Sequence, residues 1–175
     1  MTEHGAPADC ESRAVSTAIA IRLAGVADAA AISALISRLT REYVLPDQPE
    51  PAAETLRAWM APDAVAARIA AGHRHHLAEI GSALAGVVAT RDNAHMHLLF
   101  VDTPFQRRGL ARTLWQSALA ACVEAARPER ITVNASAFAV PMYLRLGFEV
   151  VQPERSENDI VSTPMVFRVS GRGTG

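Results

Sequence analysis

The residues best equipped for chemistry lie in one stretch, Leu99-Phe100-Val101-Asp102-Thr103-Pro104-Phe105-Gln106-Arg107-Arg108-Gly109-Leu110-Ala111-Arg112. An apolar run stops at Val101, a short loop follows, and Gln-x-x-Gly-x-Ala opens a helical pattern. The first turn of a helix has N–H groups without partners and a partial positive charge, which suits a pyrophosphate. Gly109 and Ala111 keep bulk away from that backbone, and Arg107 and Arg108 add charge beside it. Just upstream, His95 and His97 are two residues apart, so on a strand both point to one face. Imidazole titrates near neutral pH and suits a proton relay, with Glu79 or a water as rival bases. A metal at this pair lacks a convincing third ligand, so no metal is expected. Downstream, Asn134 closes another apolar run, and Tyr143 sits in a short helical pattern capped by Gly147.

Composition narrows what these groups do. All 17 basic residues are arginine, against 18 acidic ones, for a net charge of -1. Without lysine there is no Schiff-base chemistry and no P-loop. The near-neutral balance argues against a nucleic-acid partner. Half of the residues are hydrophobic and 5% aromatic, which predicts a small-residue core in one domain. Cys10 and Cys122 are too few for a disulfide framework, the start Met1-Thr2-Glu3-His4 is not that of a signal peptide, and no run is long enough to span a membrane. These features predict a cytoplasmic protein with no membrane partner.

The elements that must position the chemistry follow from periodicity. Residues 1–17 read as a loose tail and 171–175 as another, around a domain at 18–170. A strand is expected at 18–23, then a helix behind Asp28, as its cap or first-turn acid, with Ile32, Leu35, Ile36, Leu39 and Tyr43 on one stripe. Pro46, Pro49 and Pro51 make a stiff acidic loop, and a second helical region at 52–71 is interrupted at Pro62. Strands at 74–80, 83–91 and 95–101, a helix at 109–126, a strand at 131–135, a short helix at 141–146 and strands at 148–151 and 165–169 complete the chain. The order gives an α/β (α+β) fold with one mixed sheet of about six or seven strands and about four helices. His73, His75 and His76 read as solvated side chains, and Trp59 and Trp115 as packing residues.

The cradle resembles the acetyl-CoA motif of the GNAT superfamily of N-acetyltransferases, with Val101, Phe105, Gln106, Gly109 and Ala111 at the family's spacing. Pro104 falls one place later than the family's usual proline, and Ala111 replaces the commoner second glycine. Asn134-Ala135-Ser136 and the segment from Ala139 to Phe148 match the family's downstream half, with Met142 where an aromatic is commoner. The resemblance implies a splayed strand pair at the acetyl-CoA site. It also implies acetyl transfer from acetyl-CoA, as co-substrate, to a primary amine by direct attack through a tetrahedral intermediate. Leu99, Phe100, Val101, Gln106, Arg107, Arg108, Gly109, Leu110, Ala111, Arg112 and Asn134 would then hold the cofactor. The Val101 N–H would polarise the thioester carbonyl, and Tyr143 would serve as general acid to the departing thiolate. The strand His-Met-His-Leu-Leu-Phe-Val is similar to that of arylalkylamine N-acetyltransferases, where paired histidines relay the amine's proton.

The acceptor in this family lies between the first two helices and the far end of the sheet, which here brings Glu42, Tyr43, Asp47 and Glu50. An acidic mouth there would draw a cationic small-molecule amine. A peptide or protein acceptor and a catalytically weak acyl-CoA-binding sensor are the alternative readings. A homodimer through the last strands stays open.

Overall fold

The computed structural model describes residues 18–169. The two expected tails, with Cys10 in the first, lie outside the described residues. Strand β1 (Ile19–Leu23) forms one edge of the sheet. Helix α1 (Ala29–Tyr43) buries Ile32, Leu35, Ile36 and Leu39, the stripe its spacing dictates. Each such side chain contributes roughly 1.5–3 kcal/mol relative to exposure, enough to fix which way the helix faces. Helices α2 (Glu50–Met60) and α3 (Pro62–Ala70) complete a layer over Leu77, Val87, Ala89 and Leu98. The buried Ser33 hydroxyl donates to the Met60 carbonyl at 2.7 Å, satisfying an acceptor at the end of α2.

Strands β2 (Arg74–Ile80), β3 (Ala83–Arg91) and β4 (His95–Val101) form an antiparallel meander. Helix α4 (Leu110–Ala126) covers the opposite face, with Leu110, Leu114, Trp115, Ala118 and Cys122 packed on Val88, Met96, Leu99, Ile131 and Val133. Then come β5 (Arg130–Ala135), α5 (Val140–Arg145), β6 (Glu149–Val150), β7 (Arg155–Glu157) and β8 (Ile160–Arg168). The strand order is β1-β2-β3-β4-β5-β8-β6, with β7 added on β8; among these pairs only β4–β5 is parallel. No helix among the described residues is long and apolar enough to cross a membrane.

The eight strands and five α-helices among the described residues exceed the expected numbers for two local reasons. Extended backbone at Ala61, forced by the following proline, divides one helical region into α2 and α3. The stretch between the expected strands at 148–151 and 165–169 holds a hairpin turning at Asn158 and Asp159, both at positive φ (50° and 65°). Its β7 is wholly exposed, so it carries no apolar alternation to read. Pro51 lies in the first turn of α2 rather than in a loop, where its missing N–H costs nothing. Asp28 does precede α1, but its carboxylate makes no cap bond to that helix. It accepts the Gly25 N–H at 2.8 Å and pairs with Arg22.

Candidate active site

The Asp102 N–H donates to the Ala85 carbonyl at 2.9 Å, making these two a hydrogen-bonded pair at the end of the β3–β4 ladder. Alternation then makes Gly86–Val101 and Val88–Leu99 non-hydrogen-bonded pairs, so the Leu99 and Val101 peptide groups point away from β3. On that side β5 meets β4 only at His95–Thr132, where the Thr132 N–H donates to the Ala94 carbonyl at 2.9 Å. Beyond that point the strands part. Gln106 Nε2 donates to the Val101 carbonyl at 3.0 Å, which leaves the Val101 N–H and both polar groups of Leu99 facing the gap.

The gap opens into a cavity of about 900 Å³. Helix α4 begins at its rim behind Gly109, whose φ of +80° favours glycine, and no side chain caps the helix. A Cβ on Gly109 would meet nothing within 4 Å, so the space over the helix start is open. Arg107, Gly109, Leu110, Ala111 and Arg112 line this end; Arg108 is exposed and does not. Arg112 Nη2 donates to the Arg145 carbonyl at 3.1 Å, tying α4 to the end of α5. An uncapped helix start, open space above its glycine and arginines alongside fit the diphosphate of coenzyme A.

Tyr143 is buried on α5, its ring edge-on to Phe148 at 5.4 Å, and it lines the same cavity. Burial pushes its phenol well above the usual range, so it keeps its proton. Asn134 is exposed at the end of β5 and borders the cavity as well. His95 and His97 line the cavity's other half. His95 Nδ1 lies 2.8 Å from Thr132 Oγ1, and burial lowers its pKa. His97 is driven down to about 2 by burial and by His75, His73 and Arg68 around it, so it is neutral.

A family model for the acetyltransferase (GNAT) domain matches residues 44–169, most of the chain. The chain belongs to the GNAT family. No curated protein matches its sequence significantly. Among solved structures, a GCN5-related N-acetyltransferase from Rhodopseudomonas palustris is similar in fold, with a TM-score of 0.74 at 22% identity over 90% of this chain and 100% of that one. PaiA N-acetyltransferase from Thermoplasma acidophilum, solved in complex with coenzyme A, gives 0.71 at 13% identity over 87% and 99%. A chimera of spermidine N-acetyltransferase from Vibrio cholerae gives 0.58 at 17% over 86% and 95%.

The half of the cavity lined by His95 and His97 differs from expectation in this GNAT domain. His75 and His76 are buried at 1% and 7% exposure rather than solvated, and His73 is half-buried. Helices α2 and α3 fold over β2 and bury His75; in the β3–β4 ladder a register shift, with Ala89 facing Leu98 and Thr90 facing Met96, leaves His97 as a bulged residue. It turns His97 toward the α1–α3 layer, with His73, His75 and Trp59 rings 5.2, 5.6 and 5.6 Å away. Trp59 therefore lines the cavity as well as packing, while Trp115 is core. Of the expected acidic mouth only Tyr43 lines the cavity, stacked on Phe138 at 4.7 Å with its hydroxyl 3.2 Å from Thr103 Oγ1. Glu42, Asp47 and Glu50 are exposed outside it. Glu79, the rival base, is paired with Arg22 at 2.7 Å and also lies outside. Arg68 and Arg91 are lining residues that the sequence reading passed over, and so is Gly86 as the residue that faces Val101 from β3. Glycine inside an apolar strand is the signal that marks Gly86.

Proposed function

We propose that this chain moves an acetyl group from acetyl-CoA to the primary amine of a small molecule in the reducing cytoplasm. The observation that carries the reading is the parting of β4 from β5, which presents the Val101 N–H and the Leu99 peptide groups to a cavity that also holds Tyr143. Bound acetyl-CoA would supply the activated acyl group as a thioester. The first turn of α4 with Arg107 and Arg112 would hold its diphosphate, Leu99 its extended arm, and the Val101 N–H would polarise the acyl carbonyl.

Tyr143 lines the cavity in its protonated form and would give a hydrogen bond, and then its proton, to the departing thiolate. His95 is the better base of the histidine pair. The Thr132 hydroxyl is 3.4 Å from the Ala94 carbonyl and donates to it, so it accepts from His95 Nδ1–H. That leaves His95 Nε2 with the free lone pair. His97, neutral and crowded, would orient rather than ionise.

The test is acetyl-CoA consumption across a panel of amines and peptides, with coenzyme A binding measured in parallel. Turnover on free amines that falls about a hundredfold or more in Tyr143→Phe, with binding retained, supports the reading. Coenzyme A binding with no turnover on any acceptor would make the chain a sensor module, and turnover confined to peptides would make it a protein acetyltransferase.

A further inference from the structure

Resting on the acetyl-transfer reading, we infer that the acceptor carries a carboxylate as well as its amine, and that Arg68 and Arg91 receive it. The charges around the acceptor half of the cavity point this way. Arg68, Arg91, His73, His95 and His97 line it, and among the described residues the one acidic lining residue is Glu157, whose carboxylate is paired with Arg155 at 3.2 Å. Neither Arg68 nor Arg91 has a carboxylate partner among the described residues. Asp92, beside Arg91, is not among the lining residues.

Arg68 is held as a receptor would be. Its guanidinium lies 4.1 Å over the Trp59 ring, and Nη2 donates to the Trp59 carbonyl at 2.7 Å, which fixes the planar fork. Its Nε is buried with no hydrogen-bond partner among the described residues. A half-buried guanidinium with a donor unspent and no counter-charge is costly unless an anion completes it. The cofactor does not provide that anion, because Arg68 and Trp59 belong to the α1–α3 layer, across the sheet from α4. A cationic polyamine would meet two arginine cations, neutral histidines and no unpaired carboxylate in this half, whereas an amino acid places an anion at the arginines and its amine toward the histidines.

The experiment compares kcat/KM for matched triplets: an α-amino acid, its amide and its decarboxylated amine, with spermidine alongside. The acid should exceed its amide by about tenfold or more, the effect of one charge-assisted pair. Arg68→Gln should collapse that ratio through KM for the acid. Because Arg68 also packs on Trp59, Arg91→Gln provides a second variant that leaves this stacking in place. Equal rates for acid and amide, or preference for spermidine, would overturn the inference while leaving acetyl transfer standing. If no amine turns over, the acetyl-transfer reading fails, and calorimetric titration in the presence of coenzyme A still decides this one. Tighter binding of the acid than of the amide supports it, and equal binding ends it.

Discussion

The Gln106 side-chain amide donates to the Val101 carbonyl at 3.0 Å, so the loop that leads into α4 also holds the free edge of β4. One residue thus couples the cradle to the peptide group proposed to polarise the acyl carbonyl. Replacing Gln106 with Leu keeps the bulk and removes the donor. The expected result is a several-fold loss in kcat with about 1 kcal/mol of stability. Steady-state kinetics on acetyl-CoA checks it, and an unchanged kcat would show that the bond is structural only.

Gly86 and Gly109 are required for different reasons, and the difference is measurable. A Cβ on Gly86 would sit 2.8 Å from the Phe100 carbonyl oxygen and 2.9 Å from Leu114 Cδ1. The oxygen belongs to backbone and cannot swing aside. Gly86→Ala should therefore cost about 1–3 kcal/mol by overpacking, seen as a lowered Tm. At Gly109 a Cβ meets open space, and the cost of Gly109→Ala is the positive φ, about 1–2 kcal/mol. That methyl would also occupy the diphosphate's approach, so coenzyme A affinity should fall by more than the stability change explains. Affinity that survives Gly109→Ala would place the cofactor elsewhere.

Gln48 clamps Val161 twice, donating to its carbonyl and accepting its N–H, each at 2.8 Å. The clamp joins the turn after α1 to the β7–β8 hairpin, whose Glu157, Asn158 and Ile160 line the cavity. Gln48→Ala should loosen the hairpin, with faster amide exchange at Val161 and a loss of about 1–2 kcal/mol. Exchange at Val161 no faster than in the parent would mean that the hairpin holds itself.

How much of this was legible depends on how local each feature is. The cradle from Val101 to Ala111 is a continuous stretch whose chemistry is written in consecutive residues, and so is the α1 stripe. The half of the cavity around His97 is not local. Whether His97 faces Trp59 depends on a one-residue bulge against Thr90, which alternation cannot reveal from β4 alone. The burial of His75 likewise depends on α2 and α3 folding over β2, and the missed hairpin depends on a turn between exposed polar residues.

Asp28 gives the fold an acid-sensitive tie outside the site. Hydrogen bonds from Arg22 hold its carboxyl at about 2, below the ordinary value near 4. A group depressed in the folded state stabilises above its unfolded pKa and loses that contribution as pH falls through the folded one. Stability should therefore decline between about pH 4 and 2, and Asp28→Asn should flatten that part of the curve. Denaturant titrations at stepped pH measure it; parallel curves for variant and parent would rule the tie out.

The histidines act over a higher range, and they separate stability from catalysis. His75 is lowered to about 4 and His97 to about 2, both chiefly by burial, so each is neutral in the folded protein where the unfolded chain, at about 6.5, would bind a proton. Their contribution is complete above about pH 6.5 and is lost as pH falls toward 4 for His75 and toward 2 for His97. His97→Gln should make this decline shallower. His95 is also lowered by burial and keeps its bond to Thr132, and it is the proposed base of the pair. The acidic limb of kcat/KM should disappear in His95→Gln and persist in His97→Gln. A limb that survives His95→Gln would transfer the base to another group, and one abolished by His97→Gln would show that His97 ionises once an acceptor is bound.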